Sequence, residues 1–168
     1  MLILPASQSE SEELQSILNA AFDSNARYFP EDMEEDEDSG EELTIRSALY
    51  AEDIIVLAFW EGILLLGGAI IRTGEQDINY LERLFILPQF QRRGLGYQAW
   101  LCIERLYPCK GGWRLRTPTC LINNVCFYVN RCGFAITCVE DMGNDGVGMF
   151  VFTKASAQDE ACINGVGD

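Results

Sequence analysis

The chain has 168 residues, 48% of them hydrophobic, and this length and composition predict a single domain with a sizeable core. Its 26 acidic residues outnumber 12 basic ones, and the resulting net charge of −14 argues against nucleic acid and anionic membranes as partners. The acidic field favours cationic small molecules or basic peptides. It is also consistent with acidity that only maintains solubility.

The chain contains no histidine and seven cysteines, none of which forms a Cys-x-x-Cys pair. A Ser-His-Asp triad, a Cys-His pair and a mixed Cys/His zinc site are therefore excluded, and we predict no metal. We expect reduced, mostly buried thiols in a cytoplasmic protein. The first residues, Met-Leu-Ile-Leu-Pro, lack the basic region of a signal peptide. The longest apolar run, 63–71, is too short to cross a membrane.

The N-terminal part of the chain predicts a short strand over 2–4, then a helix that Ser7 or Ser9 caps and that runs to about Phe22. The apolar side chains of this helix repeat at helical spacing: Leu14, Ile17, Leu18, Ala21 and Phe22. A long loop over 23–42 follows and contains the acidic run 31–38. A loop of this length in a compact domain is either functional or a mobile, solvated tract.

The remainder of the chain alternates strand and helix patterns, which predicts an α/β fold. The predicted elements, in order, are a helix over 43–50, a hairpin of strands 54–60 and 63–72, a central strand over 78–87, a helix from Leu95, a strand over 113–117, a helix over 123–131 that ends at Cys132 and Gly133, and a hairpin of strands 134–141 and 147–153. We predict one domain over 1–154, followed by a polar tail over 155–168.

The pattern of residues 79–104 predicts a strand, a glycine-rich turn and a helix. Pro88 has no N–H group and closes the strand. The apolar residues of the following helix are helically spaced: Leu95, Ala99, Cys102, Ile103 and Leu106. Gly94 and Gly96 lie at the start of that helix, where free N–H groups and the helix dipole attract anions, and Arg92 and Arg93 add positive charge. The stretch predicts a phosphate site, although a helix that merely begins after a glycine turn has the same pattern.

Two blocks of residues resemble the GNAT N-acetyltransferase superfamily. Residues 91–96, Gln-Arg-Arg-Gly-Leu-Gly, are similar to the family's acyl-CoA pyrophosphate loop, and residues 84–88 ahead of them resemble its splayed strand. Residues 123–128, Asn-Asn-Val-Cys-Phe-Tyr, followed by Cys-Gly-Phe at 132–134, resemble the family's second signature. The resemblance covers roughly residues 1–154. It implies the GNAT fold: a mixed, mostly antiparallel sheet with helices on both faces and a splayed, central pair of parallel strands.

The resemblance also implies acetyl-CoA as co-substrate and a set of residues that bind it. Strand backbone at 85–87 would pair with the pantetheine arm, and Asn124, or Asn123 if the register differs by one, would bond to it. The implied cofactor-binding residues are Phe85, Ile86, Leu87, Gln91, Arg92, Arg93, Gly94, Leu95, Gly96, Tyr97 and Asn124.

Two residues match catalytic positions of the resembled family. Glu82 corresponds to its general base, and its alternative role is a salt bridge with Arg83 or Arg105. Side chains of a strand alternate between the two faces of a sheet. This alternation predicts Glu82, Leu84 and Ile86 on one face, and Arg83 and Phe85 on the other. Tyr128 corresponds to the general acid toward the CoA sulfur, and its alternative role is aromatic packing beside Phe127.

In the resembled family, the loop after the first helix forms one wall of the acceptor site, which makes Tyr28 and Phe29 candidates for acceptor contact. The resemblance implies an N-acetyltransferase that acts on a primary amine of a small molecule or peptide by direct attack in a ternary complex, as a monomer or homodimer. One alternative is a non-catalytic acyl-CoA-binding or sensing domain. Another is a protein-interaction module that acts through the acidic loop.

Overall fold

The computed structural model of the chain describes residues 1–30 and 43–156 and contains one mixed sheet of seven strands in the order β1-β2-β3-β4-β5-β7-β6. The strands are β1 (Leu2–Pro5), β2 (Ile54–Glu61), β3 (Leu64–Thr73), β4 (Asn79–Ile86), β5 (Trp113–Pro118), β6 (Ala135–Glu140) and β7 (Met149–Lys154). All neighbouring strands are antiparallel except β4 and β5, which are parallel. The predicted α/β fold with a mixed, mostly antiparallel sheet is confirmed.

Helices cover both faces of this sheet. They are α1 (Ser11–Asp23), α2 (Ile45–Ala48), α3 (Leu95–Leu106) and α4 (Ile122–Asn130). Side chains of α1 and α2 form one buried cluster with β2, β3 and the Phe85 ring of β4. Side chains of α3 form the second cluster with the opposite face of the sheet and with Tyr128 of α4. The molecule therefore has two cores, one on each side of a shared sheet.

The helical faces differ from the sequence prediction at their margins. Phe22 is not a core residue: 49% of its surface is exposed, although the four other predicted residues of the α1 face are buried. In α3, Leu106 is 55% exposed, whereas Trp100 is fully buried. The apolar stripe of α3 is thus rotated toward Trp100, whose large ring fills the space between Trp113 and Phe134.

The sheet divides between its two parallel strands. Only two residue pairs join them, Asn79 with Trp113 and Tyr80 with Arg114. Beyond these pairs β4 continues along β3, and β5 continues along β7 as far as the pair of Pro118 with Met149. The predicted splay is confirmed. It leaves one side of β4 without a neighbouring strand from about Leu81 onward.

A β-bulge interrupts β4 at Glu82. Ile70 of β3 is opposite Arg83, and Ile71 is opposite Leu81, so Glu82 is the extra residue. At such a bulge, two successive side chains oppose one residue and lie on the same side of the sheet as it. Ile70 belongs to the α1 cluster, and the Arg83 guanidinium lies 5.5 Å from the centre of the Phe22 ring of α1. The predicted alternation is therefore wrong for Glu82, which lies with Arg83 and not with Leu84 and Ile86.

Within residues 1–30 and 43–156, no helix is both long and apolar enough to span a membrane. The six cysteines of this part are unpaired thiols, but they are not mostly buried as predicted. Cys109 and Cys132 are buried, while Cys126 and Cys138 are exposed and the other two are intermediate. The turn after α4 is as expected, because Gly133 has the left-handed backbone predicted for it, with φ of 78°.

Candidate active site

A cleft of about 1000 Å³ opens where β4 and β5 separate. Its walls come from the end of α1, the second half of β4, the turn before α3, the first turn of α3, the end of β5 and α4. Most of the predicted site residues line it: Glu82, Phe85, Ile86, Gln91, Arg92, Gly94, Gly96, Tyr97, Asn124 and Tyr128. Residues that lie far apart in the sequence are thus brought together at the splay.

One end of the cleft is the N-terminus of α3. Gly94 precedes the helix with a left-handed backbone, φ of 80°, and no side chain caps the helix. The N–H of Gln98 bonds to the Gly94 carbonyl at 3.0 Å, which leaves the N–H groups of the three residues before it without intrahelical partners. Leu95 and Tyr97 pack their side chains on the core beneath. This arrangement presents backbone donors and the positive end of the helix dipole to an anion.

The two arginines of the turn have different environments. Arg92 lines the cleft and has a left-handed backbone with φ of 60°, which is uncommon for a residue other than glycine. The Arg93 guanidinium lies 5.2 Å from the centre of the Phe90 ring and is not part of the lining. Arg92 is therefore the better placed of the two to meet an anion in the cleft.

The open side of β4 offers backbone groups at alternate residues. The Leu87 N–H donates to the Leu66 carbonyl at 2.8 Å, so this amide is already bonded to β3. The Ile86 carbonyl accepts a bond from Gln91 Nε2 at 2.9 Å, which ties the turn to the end of the strand. Because successive residues turn their backbone groups to opposite sides, the N–H groups of Leu84 and Ile86 face the opening. Leu84 and Ile86 are therefore the residues whose backbone N–H groups are available on the open side of β4.

Tyr128 lies on the floor of the cleft, where α4 packs against the sheet. Its ring packs 5.0 Å from Phe127 and 5.8 Å from both Phe134 and Phe152, measured between ring centres. Burial raises the pKa of its hydroxyl, Cys132 raises it further, and the positive charge of Arg83 opposes this shift. The hydroxyl is therefore protonated near neutral pH, the state that a general acid requires.

The end of α4, and with it Tyr128, is held by a lysine from the sheet. Lys154 Nζ donates to the Cys132 carbonyl at 2.7 Å and pairs with Glu104 of α3 at 2.6 Å. Its ammonium group also lies 5.3 Å from the centre of the Trp100 ring. These contacts connect β7, α3 and the C-terminus of α4, so they fix the helix that carries Tyr128.

Glu82 has a partner other than the two that the sequence suggested, Arg83 and Arg105. Its Oε1 atom accepts a bond from Arg72 Nε at 2.8 Å, and Arg72 also pairs with Asp53 at 3.1 Å. The hydrogen bond to Glu82 is the main cause that raises the pKa of Arg72. Neither Arg83 nor Arg105 forms a salt bridge with Glu82 among the described residues. A base role for Glu82 would use the other carboxylate oxygen, Oε2.

Both asparagines of the second signature line the cleft. Asn124 Nδ2 donates to Thr117 Oγ1 of β5 at 3.4 Å, which connects α4 to the far wall of the splay. Asn123 is a lining residue without such a bond among those of the described chain. Both asparagines lie in the cleft, so position alone does not decide which of them would bond to the pantetheine arm. The bond to Thr117, however, orients Asn124 across the opening.

The wall of the cleft formed by the turn after α1 differs most from the sequence prediction. Tyr28 and Phe29 lie beside the cleft but not in its lining, which instead contains Asn25 and Arg27 of the same turn. Sequence reasoning also missed several lining residues: Phe22, Arg83, Arg116, Arg131 and Met149. Apolar periodicity placed Phe22 in the core, and no pattern marked the arginines. The acidic run 31–38 lies outside the described residues.

Three comparisons relate this chain to known proteins. The model of the acetyltransferase (GNAT) family matches residues 12–134. The Bacillus subtilis strain 168 protein YrkN, whose function is uncharacterized, is 39% identical over 72 residues, and this match covers 42% of the present chain and 39% of YrkN. The chain thus matches well under half the length of this curated relative.

Solved structures share the fold at low sequence identity. The ribosomal-protein-S18-alanine N-acetyltransferase of Escherichia coli has a TM-score of 0.65 at 13% identity, with 92% of each chain covered. The PaiA N-acetyltransferase of Thermoplasma acidophilum, in complex with coenzyme A, has a TM-score of 0.62 at 15% identity, with 91% of this chain and 98% of that chain covered. With the family match over most of its length and both signature blocks at the splay, this chain belongs to the acetyltransferase (GNAT) family.

Proposed function

We propose that the protein transfers an acetyl group from acetyl-CoA to a primary amine by direct attack in a ternary complex. The observation that carries the proposal is the opening between β4 and β5, which joins an uncapped helix N-terminus to a buried, protonated tyrosine. Acetyl-CoA supplies an activated acyl group and a thiolate leaving group. Family membership and neighbouring structures with bound CoA support this choice of co-substrate.

The residues at the helix end of the cleft would bind the pyrophosphate. The first N–H groups of α3 would donate to its oxygens, Arg92 would neutralise its charge, and Gly96 would allow close approach. The N–H groups of Leu84 and Ile86 would bond to the pantetheine arm, since they face the opening. Asn124, and not Asn123, is our choice for a further bond to that arm, because Thr117 orients it.

Three groups would act on the reacting atoms. Glu82 Oε2 would accept a proton from the amine, directly or through a water molecule, which frees the nitrogen lone pair for attack. An N–H group on the open side of β4 would polarise the thioester oxygen. Tyr128 would donate its proton to the departing sulfur. These roles for Glu82 and Tyr128 remain predictions.

The test is a panel of primary amines incubated with acetyl-CoA, in which free thiol release is followed against a control without amine. We expect amine-dependent thiol release together with the acetylated product by mass spectrometry. Binding is measured separately: a ligand at about 100 times its Kd stabilises the fold by roughly 2.7 kcal/mol. If millimolar acetyl-CoA leaves the melting temperature unchanged, the co-substrate assignment fails.

A second candidate function is acyl-CoA binding without transfer. The observation that favours it is the pairing of Glu82 with Arg72, which occupies one oxygen of the only carboxylate in the described lining. This alternative predicts a thermal shift with acetyl-CoA but no thiol release with any amine. It also predicts that Glu82 and Tyr128 variants keep the full shift. The two assays together separate the candidates.

A further inference from the structure

The described lining of the cleft has a charge opposite to that of the chain. In a protein with a net charge of −14, the described lining contains one carboxylate, Glu82, and five guanidinium groups. They belong to Arg27, Arg83, Arg92, Arg116 and Arg131. Arg92 belongs to the turn before α3, where the phosphates of CoA would explain the need for a positive charge. The four other arginines lie away from the N-terminal turn of α3 in the sequence, so we look for a second anionic group that they could bind.

Two of the charged residues in the lining, Glu82 and Arg116, are already paired. Glu82 is bonded to Arg72 at 2.8 Å. Arg116 pairs with Glu140 at 3.3 Å and also with Asp141. Among residues 1–30 and 43–156, Arg83 has no carboxylate partner. Arg83 therefore contributes a positive charge that the described part of the chain does not neutralise.

Arg83 is held in place without that partner. Its backbone is part of the β-bulge, and its Nη1 atom donates to the Glu82 carbonyl at 2.8 Å. Its guanidinium lies 5.5 Å from the centre of the Phe22 ring, a distance at which a cation is attracted to the ring face. A planar guanidinium fixed on one side keeps further N–H donors in the fork geometry that matches a carboxylate.

Arg83 also lies close to the reaction centre. Its charge acts on the Tyr128 hydroxyl, where it lowers the pKa against the larger effect of burial. Glu82 and Arg83 are successive residues, and the bulge places both side chains on the same side of the sheet. Because one strand residue rises about 3.4 Å, the two side chains start from adjacent positions, and one small molecule that has both an amine and an anionic group could contact both.

We propose that the acceptor is an amino acid, whose carboxylate is bound by the Arg83 guanidinium while its nearby amine is presented to Glu82. This inference rests on the proposed acetyl transfer and specifies its substrate class. It differs from the prediction of cationic partners, which came from the net charge of the chain. The acidic run 31–38 lies outside the described residues, and the described lining of the cleft is positively charged.

The test compares each amino acid with its carboxamide, which keeps the amine but removes the negative charge. We expect kcat/KM for the acid to exceed that for the amide by about 10- to 100-fold, the range for a hydrogen bond to a charged group. Arg83→Gln should reduce this ratio to near 1, mainly through KM for the acid. Arg83→Lys keeps the positive charge but lacks the forked N–H donors, so its ratio of acid to amide should lie between those of the wild type and Arg83→Gln.

Arg114→Gln is the matched control, because Arg114 is an exposed arginine of β5 outside the cleft and should keep the wild-type ratio. Melting curves show whether each variant is folded. A ratio near 1 in the wild type, or a preference for diamines over amino acids, overturns the proposal but leaves acetyl transfer intact. A wild-type ratio in folded Arg83→Gln also overturns it.

A second readout does not depend on turnover. In the presence of saturating CoA, amino acids should raise the melting temperature of the wild type more than their amides do, and Arg83→Gln should remove the difference. Equal shifts from acids and amides would overturn the proposal even if no amine is acetylated. In that case the absence of thiol release would separately overturn the proposed function.

Discussion

The Glu82 carboxylate and the Arg72 guanidinium are joined across β3 and β4 by a 2.8 Å bond between Oε1 and Nε. Arg72 also bonds to Asp53, so the arginine is held between two carboxylates. This places the candidate base in a fixed orientation and occupies one of its two oxygens. The pair is partly exposed, so its contribution to stability is small, and its effect on catalysis is of more interest.

Glu82→Gln is expected to lower kcat most strongly near neutral pH. The acceptor amine is mostly protonated there and needs a base, whereas free amine accumulates without help at higher pH. The measurement is kcat against pH for the best acceptor. Glu61→Gln, an exposed carboxylate of β2, is the control and should keep the wild-type profile. Superimposable profiles for Glu82→Gln and wild type would exclude Glu82 as the base.

Tyr128→Phe should lower kcat by about 10²–10⁴-fold, the usual contribution of a positioned acid, while Kd for acetyl-CoA stays nearly unchanged. The phenyl ring keeps the contacts with Phe127, Phe134 and Phe152, so the fold should tolerate the change. Tyr50→Phe, on the surface with 71% exposure, is the control. Because burial raises the pKa of Tyr128, wild-type turnover should not fall through its ionisation as pH rises to about 10. Wild-type turnover in the variant would return Tyr128 to a packing role.

The two glycines at the start of α3 should respond differently to alanine. Gly94 has φ of 80°, so Gly94→Ala should cost on the order of 1–2 kcal/mol without ligand. A Cβ at Gly96 would meet the Phe127 ring at an ordinary 3.5 Å, and alanine favours a helix, so Gly96→Ala should keep or raise the melting temperature. It should nevertheless reduce the acetyl-CoA shift, and Gly96→Val should reduce it further. A full shift in both Gly96 variants would disprove close approach of the ligand there.

Cys132 should make the fold sensitive to alkali. Burial raises the pKa of this thiol from 9.0 to about 12. A group whose pKa is raised by folding stabilises the protein fully below its unfolded value, and this stability is lost as pH rises through the folded value. Between about pH 9 and 12 the loss is about 1.4 kcal/mol per pH unit. Urea unfolding at several pH values should show a shallower decline in Cys132→Ala, while Cys138→Ala, an exposed thiol, should match the wild type. Equal slopes in Cys132→Ala and wild type would contradict this account.

How much of the site the sequence predicts depends on which signal each residue carries. The strand, turn and helix around Gly94 were predictable because Pro88, the glycines and the helical spacing all act locally. The bulge at Glu82 was not predictable, because the two-residue alternation of a strand does not indicate where one extra residue is inserted. As a result, only the pairing of β3 with β4 showed that the side chains of Glu82 and Arg83 lie on the same side of the sheet. The Arg72 partner was equally hidden, because it lies ten residues away on a neighbouring strand.

The narrow junction between β4 and β5 has a consequence for how the protein opens. Within the strand ladder, only the pairs of Asn79 with Trp113 and of Tyr80 with Arg114 connect the first four strands to the last three, although one buried cluster spans both parts of the sheet. Where the strand ladder is this short, the two sides of the sheet can open locally with different free energies. Backbone amides of β5–β7 should therefore exchange with deuterated solvent at rates unlike those of β2–β4. A ligand that bridges the opening should bring the two sets of rates closer together, as the two sheet halves come to unfold as one.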